Sequence, residues 1–543
     1  PYVLEVNVIC DETVDGPRLK TVFTYADDGL DADAAAELAE HWAATLADLG
    51  RDLGTDSSTG TLTPSDLAHV RLSQIDIDGV TARAGQPVHD IWPLSPLQEG
   101  VYFQARFAES PVYIVQNVFD FAEPIDVDAL RTAYESVLAR NPVLRSGFLA
   151  DDLPRPVAFI AAAPAVSPEV VDLVGLAPEA VAVRIEQITA DDRLRVFDVA
   201  APPLARFTVI RTPGTDRLIF SYHFLLLDGW SREQLLRELF AEYAAARQGR
   251  RAQLPTATAD FTDYLAWLAG RDRDESARRW GGALAGLAAP TLLFPEAVGT
   301  EPTLALRLEF TLSEADTDGL TRCARHAGVT LNALVSTALA LVLGYETGSA
   351  DVVFGSTVAG RPTEIDGIDS VIGLFLNTVP TRVRLRPGRS VADTMRGVQS
   401  DRLDLMDHEY LGLGDIQRAV AAANPDHDAL AGAAPLFDSL YVLQNFLDDD
   451  TFTDMETAHG IVGHDSIDAS HYPLTWVASP GRALWVKLEY RADVVPRERA
   501  QRLLDRLRIT LLQMAEDSGR PLATVPVVLA EELTAKTVRD TAS

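Results

Sequence analysis

Between Leu218 and Ser231 the chain reads Leu-Ile-Phe-Ser-Tyr-His-Phe-Leu-Leu-Leu-Asp-Gly-Trp-Ser. His223 offers an imidazole, the side chain best suited to proton exchange near neutral pH. Asp228 offers a carboxylate that can brace a turn or orient a neighbour. A positioned base of this kind typically accelerates a reaction by roughly 10²- to 10⁴-fold. The apolar run is rich in β-formers and stops at Asp228-Gly229, which predicts a buried strand ending in a tight turn. Ser231 with Gln234 has the form of a capping box, and Leu235, Leu236, Leu239, Phe240 and Tyr243 repeat at helical spacing. A strand that ends so can hold a reactive group rigidly beside a cleft. Successive strand residues face opposite ways, so if Phe224 faces the cleft, His223 faces the interior. Gly229 is expected to supply a positive φ.

Other chemistries lack their residues. There is no Gly-x-Ser-x-Gly elbow, no Walker loop and no Cys/His cluster at metal spacing, and His464 and His471 stand apart among turn signals. With 543 residues the chain exceeds a usual single core. A net charge of -32 argues against nucleic-acid or anionic-membrane partners. Cys10 and Cys323 cannot build a disulfide framework and suit a reducing cytoplasm. The chain opens in a strand pattern rather than a signal peptide. Val329 to Tyr345 is apolar but interrupted by Asn332, Ser336 and Thr337, which predicts a buried core helix rather than a membrane span.

In chain order, residues 1–50 read as two strands and an amphipathic helix carrying Leu38, Trp42 and Leu46. Residues 51–88 read as a Gly/Ser/Thr/Asp-rich linker. Strand and helix patterns then alternate to about residue 530, an α/β (α+β) reading.

The 218–231 segment resembles the His-His-x-x-x-Asp-Gly signature of condensation domains in nonribosomal peptide synthetases. His223 falls on the first His, Phe224 on the second, and Asp228-Gly229 on its close. In the family the second His is credited with aminolysis; a phenyl ring can neither accept a proton nor hydrogen-bond an amine. Trp92-Pro93-Leu94-Ser95-Pro96-Leu97-Gln98-Glu99-Gly100 resembles the family's first motif, in the form typical of domains that receive a D-configured donor. Arg140 to Phe148 and Ile372 to Pro380 resemble further motifs. Residues 1–50 resemble the closing segment of an epimerization domain.

The resemblance implies two chloramphenicol-acetyltransferase-like lobes in a V, with the site at their interface: 89–268 as the N-lobe, 269–530 as the C-lobe, and 531–543 as a linker toward an adenylation domain. It implies His223, Asp228 and Gly229 as catalytic-motif residues, Arg361 as the structural partner of Asp228, and Trp230, Ser356 and Asn377 along the substrate channel. It implies upstream and downstream peptidyl carrier domains as partners, their phosphopantetheine arms as substrates, and no permanently bound cofactor or metal. Two readings follow: a working condensation domain, or a condensation-like domain without bond-forming activity that serves as a spacer or recruits a tailoring enzyme.

Overall fold

The apolar run at 218 forms a strand, Asp216–His223, and it is flanked on both edges. Antiparallel neighbours Ile114–Phe121 and Ala205–Arg211 close its two sides. Leu218, Phe220 and Tyr222 point into a core with Phe119, Phe207 and Phe240, where the Phe207 and Phe220 rings stack at 4.7 Å. Ile219 points to the other face, with Val181 and Ile210. Alternation of this kind, with both faces buried, is why the run is almost wholly apolar.

The strand ends at His223, four residues short of the expected stop, and the helix Gly229–Ala246 is capped by Asp228 rather than by Ser231. Leu225, Leu226 and Leu227 are fully buried, so the continuous apolar pattern there records burial of a turn. Gly229 is the first helical residue and is not among the positive-φ glycines; the expected left-handed turn is replaced by the Asp228 cap.

This is a computed structural model describing residues 2–13, 16–26, 29–55, 62–107, 111–425, 427, 430, 435–444, 458–467, 470–530 and 532. Of the expected 531–543 linker, all but residue 532 lies outside the described residues. The chain divides into two units, Pro1–Thr63 and Pro64–Ser543. In the first, a hairpin of Leu4–Thr13 and Gly16–Tyr25 is followed by the helix Ala32–Thr55; Phe23 meets Trp42 edge-on at 6.3 Å. The 51–88 stretch is not all linker: Ser73 and Asp76 form a reciprocal cap for the helix Gln74–Ala84, which buries Ile77, Val80 and Ala84.

The second unit holds two sheet-built halves in a mixed α/β fold. The N-terminal half has a five-stranded and a three-stranded sheet, and the C-terminal half a six-stranded sheet. The halves exchange material, because Ile461–Ile467 crosses over to pair with Ile114–Phe121. The helix Leu331–Thr347 is buried along most of its length in the C-terminal core, which explains its apolar sequence. Among the described residues no single helix is long and apolar enough to cross a membrane.

Along Trp485–Arg491, Val486, Leu488 and Tyr490 enter that core while Trp485, Lys487, Glu489 and Arg491 face a cavity. The period of two thus gives the sheet an apolar face and a polar one.

Candidate active site

A cavity of about 1980 Å³ is walled by both halves of the second unit. The Phe224–Trp230 turn contributes Phe224, Asp228, Gly229 and Trp230, and the C-terminal half contributes Thr357, Arg361 and Asn377.

His223 is not on this wall. Its ring is buried against Tyr113 and Phe197, and its Nδ1 accepts the Leu225 N–H at 3.1 Å. Burial pushes the imidazole down to about 3. A neutral ring whose free lone pair is already engaged cannot take a proton from a molecule in the cavity. His223 thus sits as a hydrogen-bonded core histidine facing the interior, and the turn at 224 brings the phenyl ring, not the imidazole, to the cavity.

Asp228 is buried and fully occupied. Oδ1 accepts the Ser231 N–H at 2.8 Å, and Oδ2 accepts those of Phe375 and Leu376 at 3.0 and 3.3 Å. Arg361 Nη2 lies 3.6 Å from Oδ1 and donates to Ser231 Oγ at 2.7 Å. Ser231 Oγ in turn donates to the Gly373 carbonyl and accepts its N–H. Burial lowers the Arg361 guanidinium, and Asp228 counters that shift. The pair ties the turn of one half to the 372–376 segment of the other.

The first motif joins the same seam. Ser95 Oγ donates to the Leu374 carbonyl, and Gln98 Nε2 to the Leu225 carbonyl at 2.9 Å. Three stretches far apart in sequence therefore meet at one junction between halves.

Trp230 lines the cavity, with Nε1 held by the Asp369 carbonyl at 2.7 Å. Asn377 also lines it, but Nδ2 donates to the Glu409 and Leu411 carbonyls and Oδ1 accepts the Thr378 N–H. Ser356 is not on the wall: its hydroxyl pairs across strands with Thr381 at 2.7 Å, and Thr357 faces the cavity instead. The end of the strand Asp351–Val358 reaches the wall through Thr357 and Val358.

Three cavity residues were not expected from sequence as site residues. His464 stacks on Phe119 at 4.7 Å, and burial pushes it down to about 4. His471 lies 2.8 Å, through Nδ1, from the Tyr113 hydroxyl. Nothing local signals the Tyr113–His471 meeting, since the two are separated by most of the chain. No group of three or more metal-capable side chains occurs among the described residues.

The condensation-domain family model matches residues 88–535. The chain belongs to the condensation-domain family of nonribosomal peptide synthetases. It is 30% identical over 537 residues to a linear gramicidin synthase of Brevibacillus parabrevis, covering 98% of this chain but 7% of that relative. Among solved structures, the first condensation domain of the calcium-dependent antibiotic synthetase superposes with a TM-score of 0.64 at 21% identity, covering 80% of this chain and 98% of that one. The X-domain in its complex with OxyB from teicoplanin biosynthesis superposes with a TM-score of 0.66 at 22% identity, covering 80% and 96%. At these identities the structural likenesses establish the fold. Phe224 stands on the cavity wall one residue after the buried His223.

Proposed function

We propose that this condensation domain joins a carrier-bound donor thioester to a carrier-bound acceptor amine. The observation that carries the reading is the cavity of about 1980 Å³ bounded by the signature turn and by both halves, a space suited to two tethered substrates. The acceptor nitrogen attacks the thioester carbonyl carbon, the new C–N bond forms, the C–S bond breaks, and the proton leaving nitrogen ends on sulfur. A thioester is already an activated acyl donor, so alignment of the two ends supplies most of the acceleration. A base at position 224 is forgone.

The donor is a D-configured aminoacyl or peptidyl group in this reading, supported by the form of Trp92 to Gly100 and by the resemblance of residues 1–50 to an epimerization domain. Carrier domains on both sides present their phosphopantetheine arms, 531–543 leads toward an adenylation domain, and the setting is cytoplasmic.

A second reading is favoured by Phe224 and by the fold shared with the X-domain: a domain that forms no bond and recruits a tailoring enzyme. A transfer assay with loaded donor and acceptor carriers separates the two. The condensation reading expects product from the native chain, more from D- than L-donor, faster turnover in Phe224→His, and retained turnover in folded His223→Ala. Product from Phe224→His alone would mean a retired site and overturn the condensation reading, leaving a spacer or a recruitment platform.

A further inference from the structure

One imidazole on the cavity wall is tied directly to the Phe224 turn. Tyr113 ends the short helical turn Pro111–Tyr113. Its carbonyl accepts the Phe224 N–H at 2.8 Å, and its hydroxyl lies 2.8 Å from His471 Nδ1. Phe224, Tyr113 and His471 all line the cavity. Among the described residues His471 makes no second hydrogen bond. Its ring lies 4.0 Å from Tyr472, which stacks on Phe437 at 5.8 Å. The imidazole is thus fixed by packing and by one nitrogen, and Nε2 is left for a ligand.

We propose that His471 Nε2, backed by the Tyr113 hydroxyl, hydrogen-bonds the acceptor amine and positions it in this cavity, the task that Phe224 cannot perform. This deepens the condensation reading and rests on it.

The chemistry suits holding rather than deprotonation. Burial, reinforced by the nearby Arg491 charge, pushes the imidazole down to about 4, so it is neutral at neutral pH and can accept an N–H. Burial also raises the Tyr113 phenol, which keeps its proton. When Nδ1–H donates to the phenol oxygen, Nε2 presents its lone pair; a nitrogen of such low basicity orients an amine without removing its proton. The amine proton still passes to the leaving sulfur.

Two conservative replacements separate contact from scaffolding. His471→Asn keeps a polar atom where Nδ1 meets Tyr113, and His471→Gln keeps one where Nε2 points. With the acceptor supplied as an aminoacyl-pantetheine at varied concentration, His471→Ala and His471→Asn are expected to lower kcat/KM roughly tenfold, the scale of one hydrogen bond. His471→Gln is expected to stay within about threefold of native, with Tyr113→Phe between the two sets. Native kcat/KM in His471→Ala, or equal losses in His471→Asn and His471→Gln, would overturn the assignment while leaving the condensation reading intact.

If the native chain forms no product, calorimetric binding of the non-reactive aminoacyl-pantetheine amide decides instead. A tenfold weaker Kd in His471→Asn but not in His471→Gln would uphold the contact although the condensation reading had failed. Equal Kd in all variants would refute it. Thermal unfolding of each variant identifies any that fail to fold, and Tyr113→Phe, which removes only a hydroxyl, guards against that outcome.

Discussion

The two halves of the second unit furnish cavity walls of different character. On the N-terminal side, the polar side chains of the 223–231 segment are taken up by backbone groups at the junction. His223 is buried with Nδ1 on Leu225 N–H, Asp228 is held by three backbone N–H groups, and Ser231 is locked to Gly373. Beside the Phe224 ring, Asp228, Gly229 and Trp230 border the cavity, with the Asp228 carboxylate and the Trp230 N–H already engaged. On the C-terminal side, the sheet sends every second residue outward, so Thr475, Lys487, Glu489 and Arg491 border the same space. Lys487 and Glu489 pair at 2.5 Å there, and Arg491 pairs with Asp493 at 2.6 Å. A junction must satisfy its buried backbone ends before anything else, and the signature turn is a junction. A sheet face has its backbone satisfied by its neighbours, so its polar side chains pair with one another along the wall, as Lys487 does with Glu489.

The contrast is most easily broken at Asp228. Asp228→Ala removes the helix cap and the acceptor for Phe375 and Leu376, and leaves the Arg361 guanidinium buried without its carboxylate. Breaking a buried pair in this way costs about 3–5 kcal/mol, read as a drop in the urea midpoint at constant slope. Adding Arg361→Met should recover part of the loss. A cost below about 1 kcal/mol would mean that the seam between halves does not depend on this carboxylate.

The next effect is a pH dependence from His223. Its folded value, about 3, lies below the ordinary histidine value, so the unfolded chain binds the proton first as pH falls. The stability it contributes is therefore complete above about pH 6.5 and declines toward pH 3, by about 2 kcal/mol at pH 5. His464 and His471 shift in the same direction. Asp438, raised to about 6 by burial, works the other way, as does Glu233, raised to about 7. Comparing native with His223→Leu isolates the one group: denaturation between pH 7 and 5 should show a shallower acid loss in the variant. Equal slopes would mean that the imidazole is protonated in the folded state.

Much of this was legible from sequence because it is periodic or local. The mixed α/β class, the strand before the signature and the helix after it follow from alternation and helical spacing. The opposed directions of residues 223 and 224 also match simple strand logic, although the chain has already left the strand at 224. What misled was apolarity without period: Leu225 to Leu227 look like strand and are a buried turn. Ser231 looks like a cap, but Asp228 is the cap: it accepts the Ser231 N–H at the third helical position and also those of Phe375 and Leu376. The Tyr113–His471 contact was illegible for a different reason. It exists only because Ile461–Ile467 crosses to the other half's sheet and the chain then returns to its own, and no window of residues encodes a crossover.

The smallest expected effect tests the alternation itself. Ser356 was the expected channel hydroxyl, yet it faces Thr381 across the strand pair while its neighbour Thr357 faces the cavity. Ser356→Ala should therefore cost only about 0.2–1 kcal/mol, the scale of a cross-strand pair, and should leave kcat and KM for both carriers within about twofold in the transfer assay. Thr357→Val, which keeps the shape and removes the hydroxyl, should change KM with little change in stability. If Ser356→Ala shifted KM and Thr357→Val did not, the strand would have to sit one residue out of its present register against Asn377–Arg384. A one-residue slip exchanges every side chain between faces, and Val352 and Phe354 would then leave the C-terminal core. Val353 and Phe354 would have to exchange places between two differently shaped cores, a repacking cost larger than either hydroxyl effect, which is why core packing fixes which hydroxyl meets the cavity.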